Sequence, residues 1–405
     1  MSEKAKLLIK VVNILLSCFI ICTTLSYTEH SLGTNLVKIV IGFLIILVTI
    51  GTINFKRYKW ITWLIGVGFI LPLCLMLFGV YNYNMTQSFK YLFFFSFYLL
   101  LVICLSSVYR DKIDVFLFIW QISLSLVLFF LFLVYRGLSF NLMYLLTATL
   151  SGQRYGQFLL TQRYGMGFSN VNTLALFSTL LMFCSFYFLY KGKNKLFSLI
   201  NILCSIIFVL NAESRTPMVL MIVMFMSVVI CRIKNDNIRF VTQTIVLILE
   251  ILFSILFSNL FIAGNTTSLL YQRINEISSY RLSFGTSAIG ILKSSGSLLL
   301  GIGPLNSTYI TEDIFGRLLT LDNSLEYFVF TLGIIGTILI YIYLFYLFFC
   351  INRSKSKLGF VSTTFYFTYS IFENIIFLPS SPVSVLILTI IFILMRNYTE
   401  QQQQI

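Results

Sequence analysis

The chain has 405 residues, 58% of them hydrophobic and only 10% charged, with a formal net charge of +14. A soluble domain carries about 25% charged residues, so this chain lacks the polar surface to cover itself in water, and a soluble globular fold is excluded. Its positive charge is spread through short loops, a topological signal rather than a nucleic-acid-binding patch.

The first apolar run follows Lys4, Lys6 and Lys10. No small-residue cleavage site follows it, since Ile21-Cys-Thr-Thr-Leu25 continues into Tyr27, so it reads as an anchored helix and not a removed signal. Runs of about 17–25 apolar residues are needed to cross a bilayer. Twelve are predicted, at 8–26, 36–53, 60–80, 90–109, 114–135, 168–190, 196–212, 216–232, 240–263, 323–350, 358–378 and 381–396. Pro379-Ser-Ser-Pro382 must then serve as a very tight turn between the last two.

The intervening loops alternate in charge. One side carries Lys4, Lys6, Lys10, Lys56, Arg57, Lys59, Arg110, Lys112, Lys191, Lys193, Lys195, Arg232, Lys234, Arg239, Arg353, Lys355, Lys357 and Arg396. The positive-inside rule makes that side cytoplasmic, and an even helix count puts both termini there. The expected fold is an all-α polytopic membrane protein of about 12 transmembrane helices, one membrane domain over 1–405, with long outer loops at 136–167 and 264–322. The expected location is the cytoplasmic membrane, with the working face extracytoplasmic. The eight cysteines all lie in or beside apolar runs, and His30 is the only histidine. Neither a disulfide framework nor a metal site is expected, and no cofactor.

The other side carries Lys38, Lys90, Lys293, Arg136, Arg154, Arg163, Arg215, Arg273, Arg281 and Arg317. Lysine outnumbers arginine twelve to six inside, and arginine outnumbers lysine seven to three outside. Topology does not require that switch; arginine is the better choice for fixed, bidentate binding of phosphate or carboxylate. Snorkelling at helix ends is the alternative account.

The first long loop holds a short repeat, Gln153-Arg154-Tyr155-Gly156 and Gln162-Arg163-Tyr164-Gly165. It leads to Gly165-Met-Gly167-Phe-Ser-Asn170-Val-Asn172 at a helix start, either an anion-facing N-terminus or an ordinary cap. Glu213-Ser-Arg215-Thr-Pro217 forms the whole turn between two spans, with Pro217 suited to a first helical turn. Glu250 sits within the run 240–263, where an acid is costly; it is a functional carboxylate or a protonated group bonded to a neighbouring helix. The second long loop contributes Arg273, Glu276 and Arg281, a break at Gly301-Ile-Gly303-Pro304, and Leu321-Asp322-Asn323-Ser324 entering a helix, with Glu326 one turn later. Asp322 is a candidate base or a helix N-cap.

These segments together resemble the O-antigen polymerase and ligase superfamily, which includes Wzy-type polymerases of bacterial surface polysaccharides. The resemblance runs through most of the chain. It rests on Arg163-Tyr-Gly-Met-Gly-Phe-Ser-Asn170-Val-Asn172, Ser214-Arg215-Thr216, Arg281 followed by Gly301-Ile-Gly303, Leu321-Asp-Asn-Ser-Leu325 and Gly333-Ile-Ile-Gly336. The ligase branch often has His-Asn where this chain has Asp322-Asn323, a departure that favours the polymerase and leaves the base open.

The resemblance implies a metal-independent, inverting glycosyltransferase of the GT-C kind. Its substrates would be polyprenyl-diphosphate-linked oligosaccharides, and its partners the bilayer, a chain-length regulator and a flippase. Arg163, Arg215, Arg281, Arg273 and Arg154 are the candidate diphosphate ligands, because charge develops on the leaving diphosphate. Asp322 is the first candidate base and Glu213 the second. A ligase with the same donor and a lipid-linked oligosaccharide flippase are the alternatives; a flippase should line a central path with charge and show two related halves.

Overall fold

The computed structural model describes residues 3–29, 31, 33–54, 58–78, 80, 85–135, 164–235, 237–246, 248–249, 252, 267–269, 271–272, 275, 281–304, 323–373 and 381–402. Nearly all of them are helical. The elements in chain order are α1 (Glu3–Leu25), α2 (Thr34–Thr49), α3 (Ile61–Ile65), a π-helical turn (Gly66–Ile70), α4 (Leu71–Leu77), α5 (Met85–Val108), α6 (Ile113–Tyr135), α7 (Val171–Lys191), α8 (Lys195–Ala212), α9 (Arg215–Ile230), α10 (Arg281–Ser294), α11 (Ser324–Arg353), α12 (Lys357–Phe372) and α13 (Pro382–Gln402).

Eight helices among the described residues are long and apolar enough to cross a membrane. The expected spans 60–80 and 216–232 are the shorter apolar helices 61–77 and Arg215–Ile230. The expected span 358–378 contributes the 16-residue α12. The run 240–263, with Glu250, lies largely outside the described residues, as do most of the loops 136–167 and 264–322.

The chain packs as two compact units, residues 1–53 with 100–226, and residues 54–99 with 227–405. In the first unit, α1 packs on α2 and α6, α6 on α7, and α7 on α8. Polar side chains lie inside it. Ser17 bonds Ser123 at 2.8 Å, Gln121 donates to Ser185 and Ser198 at 3.1 Å each, and Ser125 donates to Asn201 at 2.9 Å. The outside is apolar, with Leu126, Phe129, Phe130 and Leu133 exposed on α6 and Leu196, Leu199, Ile200 and Leu203 exposed on α8. Polar residues inside and an apolar exterior suit a lipid solvent, where interhelical hydrogen bonds hold helices together and apolar side chains cost nothing outside. At one end of this unit Lys191 and Lys193 pair with Asp114 at 2.7 and 2.9 Å, and Tyr187 donates to the same carboxylate. Gly192, at φ 73°, turns the chain from α7 into α8.

In the second unit, α11 packs on α10, α12 and α13, and α12 on α13. Buried residues run consecutively along α13 (Val383, Ser384, Val385, Leu386, Ile387), so it is enclosed on every side. The 30-residue α11 is broken at Gly333, which stands at φ 67°, ψ −176°. The segment 298–303 fills the break. Ile302 and Gly303 donate to the carbonyls of Phe330 and Thr331 at 3.1 and 2.9 Å, and Ile334 and Ile335 donate to Leu298 and Leu299 at 3.1 and 3.2 Å. The inserted segment thus takes up two carbonyls and two amides freed by the break, as irregular backbone away from water requires.

Candidate functional site

The end of the first unit opposite the Asp114 cluster is built from helix ends. α8 stops because Glu213 takes a left-handed conformation, φ 48°, with its amide bonded to the Leu210 carbonyl at 3.1 Å. α9 begins two residues later at Arg215, with Pro217 in its first turn. A left-handed glutamate is unusual and persists only where the surroundings hold it. Here Glu213 is 2% and Ser214 5% exposed, while Arg215 is half-buried.

A second turn is stitched to this one. The Tyr164 amide donates to the Asn211 carbonyl, and Asn211 Nδ2 donates back to the Tyr164 carbonyl, each at 3.4 Å. The Tyr164 hydroxyl donates to the Tyr135 carbonyl at the end of α6. Burial, with Tyr135 beside it, pushes the Tyr164 phenol above its ordinary range, so it stays a donor. The turn then crosses to the end of α1. Glu29 donates its amide to the Gly167 carbonyl at 2.9 Å, Ser169 donates its amide and hydroxyl to the Tyr27 carbonyl at 3.0 and 2.9 Å, and Thr28 bridges Phe168. Gly167 stands at φ 79°, and a Cβ there would meet the Tyr135 ring at 2.2 Å. Residues 164–170 therefore form a strap joining the ends of α1, α6 and α8.

α7 leaves this strap capped by Asn170, whose side chain accepts from the Asn172 amide at 2.9 Å. The amides of Phe168, Ser169, Asn172 and Thr173 are all bonded to protein oxygens. These four bonds make the helix start a capped one.

In the second unit the entry to α11 is tied to the exit of α12. Asn323, and not Asp322, is the N-cap. Its Oδ1 accepts from the Leu325 and Glu326 amides at 2.7 and 3.4 Å, and its Nδ2 donates to the Ile371 carbonyl at 2.8 Å. Ser324 donates to the Glu373 carbonyl at 3.1 Å. Glu326, in the first turn, is buried. A carboxylate there is favoured by the helix dipole.

Among the sequence-based candidates, Glu213 and Arg215 share one turn, and Arg281 opens α10 in the second unit. Asp322, Arg163, Arg273 and Arg154 lie outside the described residues, although Arg163 precedes the anchored Tyr164 in the chain. Sequence reasoning missed Asn211 and Tyr164. Their signal was weak: an asparagine ending an apolar run, and the tyrosine of the short repeat. Among the described residues no group of three or more His, Cys, Asp or Glu is placed to hold a metal. No protein-family model matches the chain, and no curated protein matches its sequence.

Proposed function

We propose that this protein is a polymerase that joins polyprenyl-diphosphate-linked oligosaccharide repeat units into a surface polysaccharide at the outer face of the cytoplasmic membrane. On this reading about twelve helices cross the bilayer in a GT-C-like arrangement, both termini are cytoplasmic, and the Glu213–Arg215 end of the first unit faces outward. One observation carries the reading: a buried carboxylate and an arginine two residues apart, in a left-handed turn stitched by Asn211 to the strap 164–170. Fixed placement of this kind is what electrostatic stabilisation of developing charge needs.

In the reaction, an acceptor hydroxyl oxygen bonds to sugar C1 as the C1–oxygen bond to the diphosphate breaks on the opposite face. The lipid diphosphate leaves with the bonding electron pair, and the hydroxyl proton passes to a carboxylate. Arg215 takes the developing diphosphate charge in bidentate fashion, with Arg163, Arg281, Arg273 and Arg154 as further ligands. Asp322 or Glu213 takes the proton, within about 3 Å of the hydroxyl once substrate is bound.

The purified protein, reconstituted in liposomes with a lipid-linked repeat unit, tests the reading directly. A ladder of products supports the polymerase. Transfer to a foreign acceptor alone indicates a ligase, and chemically intact substrate overturns a transferase of either kind.

A further inference from the structure

The geometry points to a second phosphate-binding element in the first unit: Lys38 of α2, with Ser26 and Tyr27 at the end of α1, takes the phosphate of a lipid head group. On α2, Lys38, Gly42, Ile45, Ile46 and Thr49 fall on one stripe by helical spacing. The last four are buried, and α2 packs on α1 along this face. Leu36, Val37, Val40, Phe43, Leu44 and Leu47 form the exposed face. Lys38 therefore stands on the packed stripe, half-buried, and not on the lipid side where a snorkelling lysine would sit.

The position is unusual for a lysine of this unit. It lies at the end of the unit opposite Lys191, Lys193 and Lys195. Its ammonium is 3.3 Å from Ser26 Oγ and 5.5 Å from the Tyr27 ring centre. Ser26 gives its own proton to the Thr23 carbonyl at 2.7 Å, which leaves its oxygen to accept from Lys38. The hydroxyl and the ring orient the ammonium without neutralising it, and among the described residues no carboxylate pairs with Lys38. An ammonium has three donors and this hydroxyl uses one.

The same Tyr27 gives its carbonyl to Ser169 of the strap, so the site adjoins the Glu213–Arg215 turn through one continuous hydrogen-bonded segment. A phosphate at the membrane surface supplies the missing charge, from either the polyprenyl diphosphate or an anionic phospholipid. The first source rests on the polymerase reading and the second does not.

Native mass spectrometry of the full-length protein in detergent separates the sources, with polyprenyl diphosphate, phosphatidylglycerol and phosphate-free diacylglycerol as probes. Wild type and Lys38→Arg should retain a phosphate-bearing lipid that Lys38→Met retains about tenfold less, with diacylglycerol retained equally by all three. Loss confined to polyprenyl diphosphate assigns the substrate as the source; loss of phosphatidylglycerol assigns the phospholipid. Equal retention of both phosphate lipids by wild type and Lys38→Met overturns the proposal. If Lys38→Met aggregates, Lys38→Gln takes its place. Lys38-dependent retention in a protein that makes no ladder would sink the polymerase reading and leave this site standing. Ladders with Lys38-independent retention would do the reverse.

Discussion

Gly301 and Gly333 meet backbone to backbone at the break in α11. A Cβ on Gly301 would lie 2.5 Å from the Gly333 amide nitrogen, and one on Gly333 would lie 2.3 Å from the Leu299 carbonyl oxygen. Both have positive φ, 74° and 67°, so an added side chain meets a backbone penalty as well as a collision with main chain that has no rotamer to escape into. The contact lets the segment 298–303 reach the orphaned groups of the broken helix. Gly333→Ala and Gly301→Ala should each destabilise the protein by about 3 kcal/mol or more. Thermal unfolding in detergent measures this, and Gly290→Ala, which meets nothing within 4 Å, is the control. An unchanged melting temperature in both variants would show that the break does not depend on this approach.

Arg215→Lys keeps the charge and loses the planar fork. Ladder formation should fall roughly a hundredfold, about 2.7 kcal/mol of transition-state stabilisation. Membrane insertion and melting temperature should stay normal. Normal ladders from that variant would remove Arg215 from the site.

Glu213 shapes the turn through its backbone, and on the polymerase reading its carboxylate is a candidate base; two substitutions separate those roles. Glu213→Gly accepts φ 48° without strain and should fold as well as wild type. Glu213→Gln keeps the shape and removes the base. If Glu213 takes the proton, both variants lose ladder formation by at least about a hundredfold. If Asp322 does, Glu213→Gln retains most activity while Asp322→Asn loses it.

Asn323→Ala removes an N-cap and the donor to the Ile371 carbonyl together. The cap alone contributes about 1 kcal/mol, and the stranded carbonyl adds about 1–3 kcal/mol. Asn323→Asp restores the acceptor but not the donor, so its melting temperature should fall between the other two. Equal melting of all three proteins would show that Asn323 does not couple α11 to α12.

Helix positions were legible from hydropathy because each long run of the sequence is apolar regardless of its neighbours. Thus Ile113–Tyr135 and Val171–Lys191 match the runs 114–135 and 168–190 closely. Pro217 and Asn170 were equally readable, since first-turn prolines and caps act within four residues. The N-cap of α11 was placed one residue early as an alternative role for Asp322, because aspartate and asparagine cap equally well and only the tie from Asn323 to Ile371 selects between them. The strap was not legible. Its bonds join Tyr164 to Asn211 and Ser169 to Tyr27, pairs 47 and 142 positions apart, and nothing local in a tyrosine or serine announces a distant carbonyl.

The sequence by itself determined that the chain is a bundle of apolar helices, because membrane-length hydrophobic runs and sparse charge admit no other way to satisfy the backbone. It also marked Gly301-Ile-Gly303-Pro304 as a break, but ran one unbroken span through Gly333. Only the tertiary structure decided that Gly333 breaks α11 against that segment, that α13 lies enclosed rather than against lipid, and that Lys38 belongs to the packed stripe of α2. Those facts are set by which faces meet, and facing is a property of packed helices, not of any one segment.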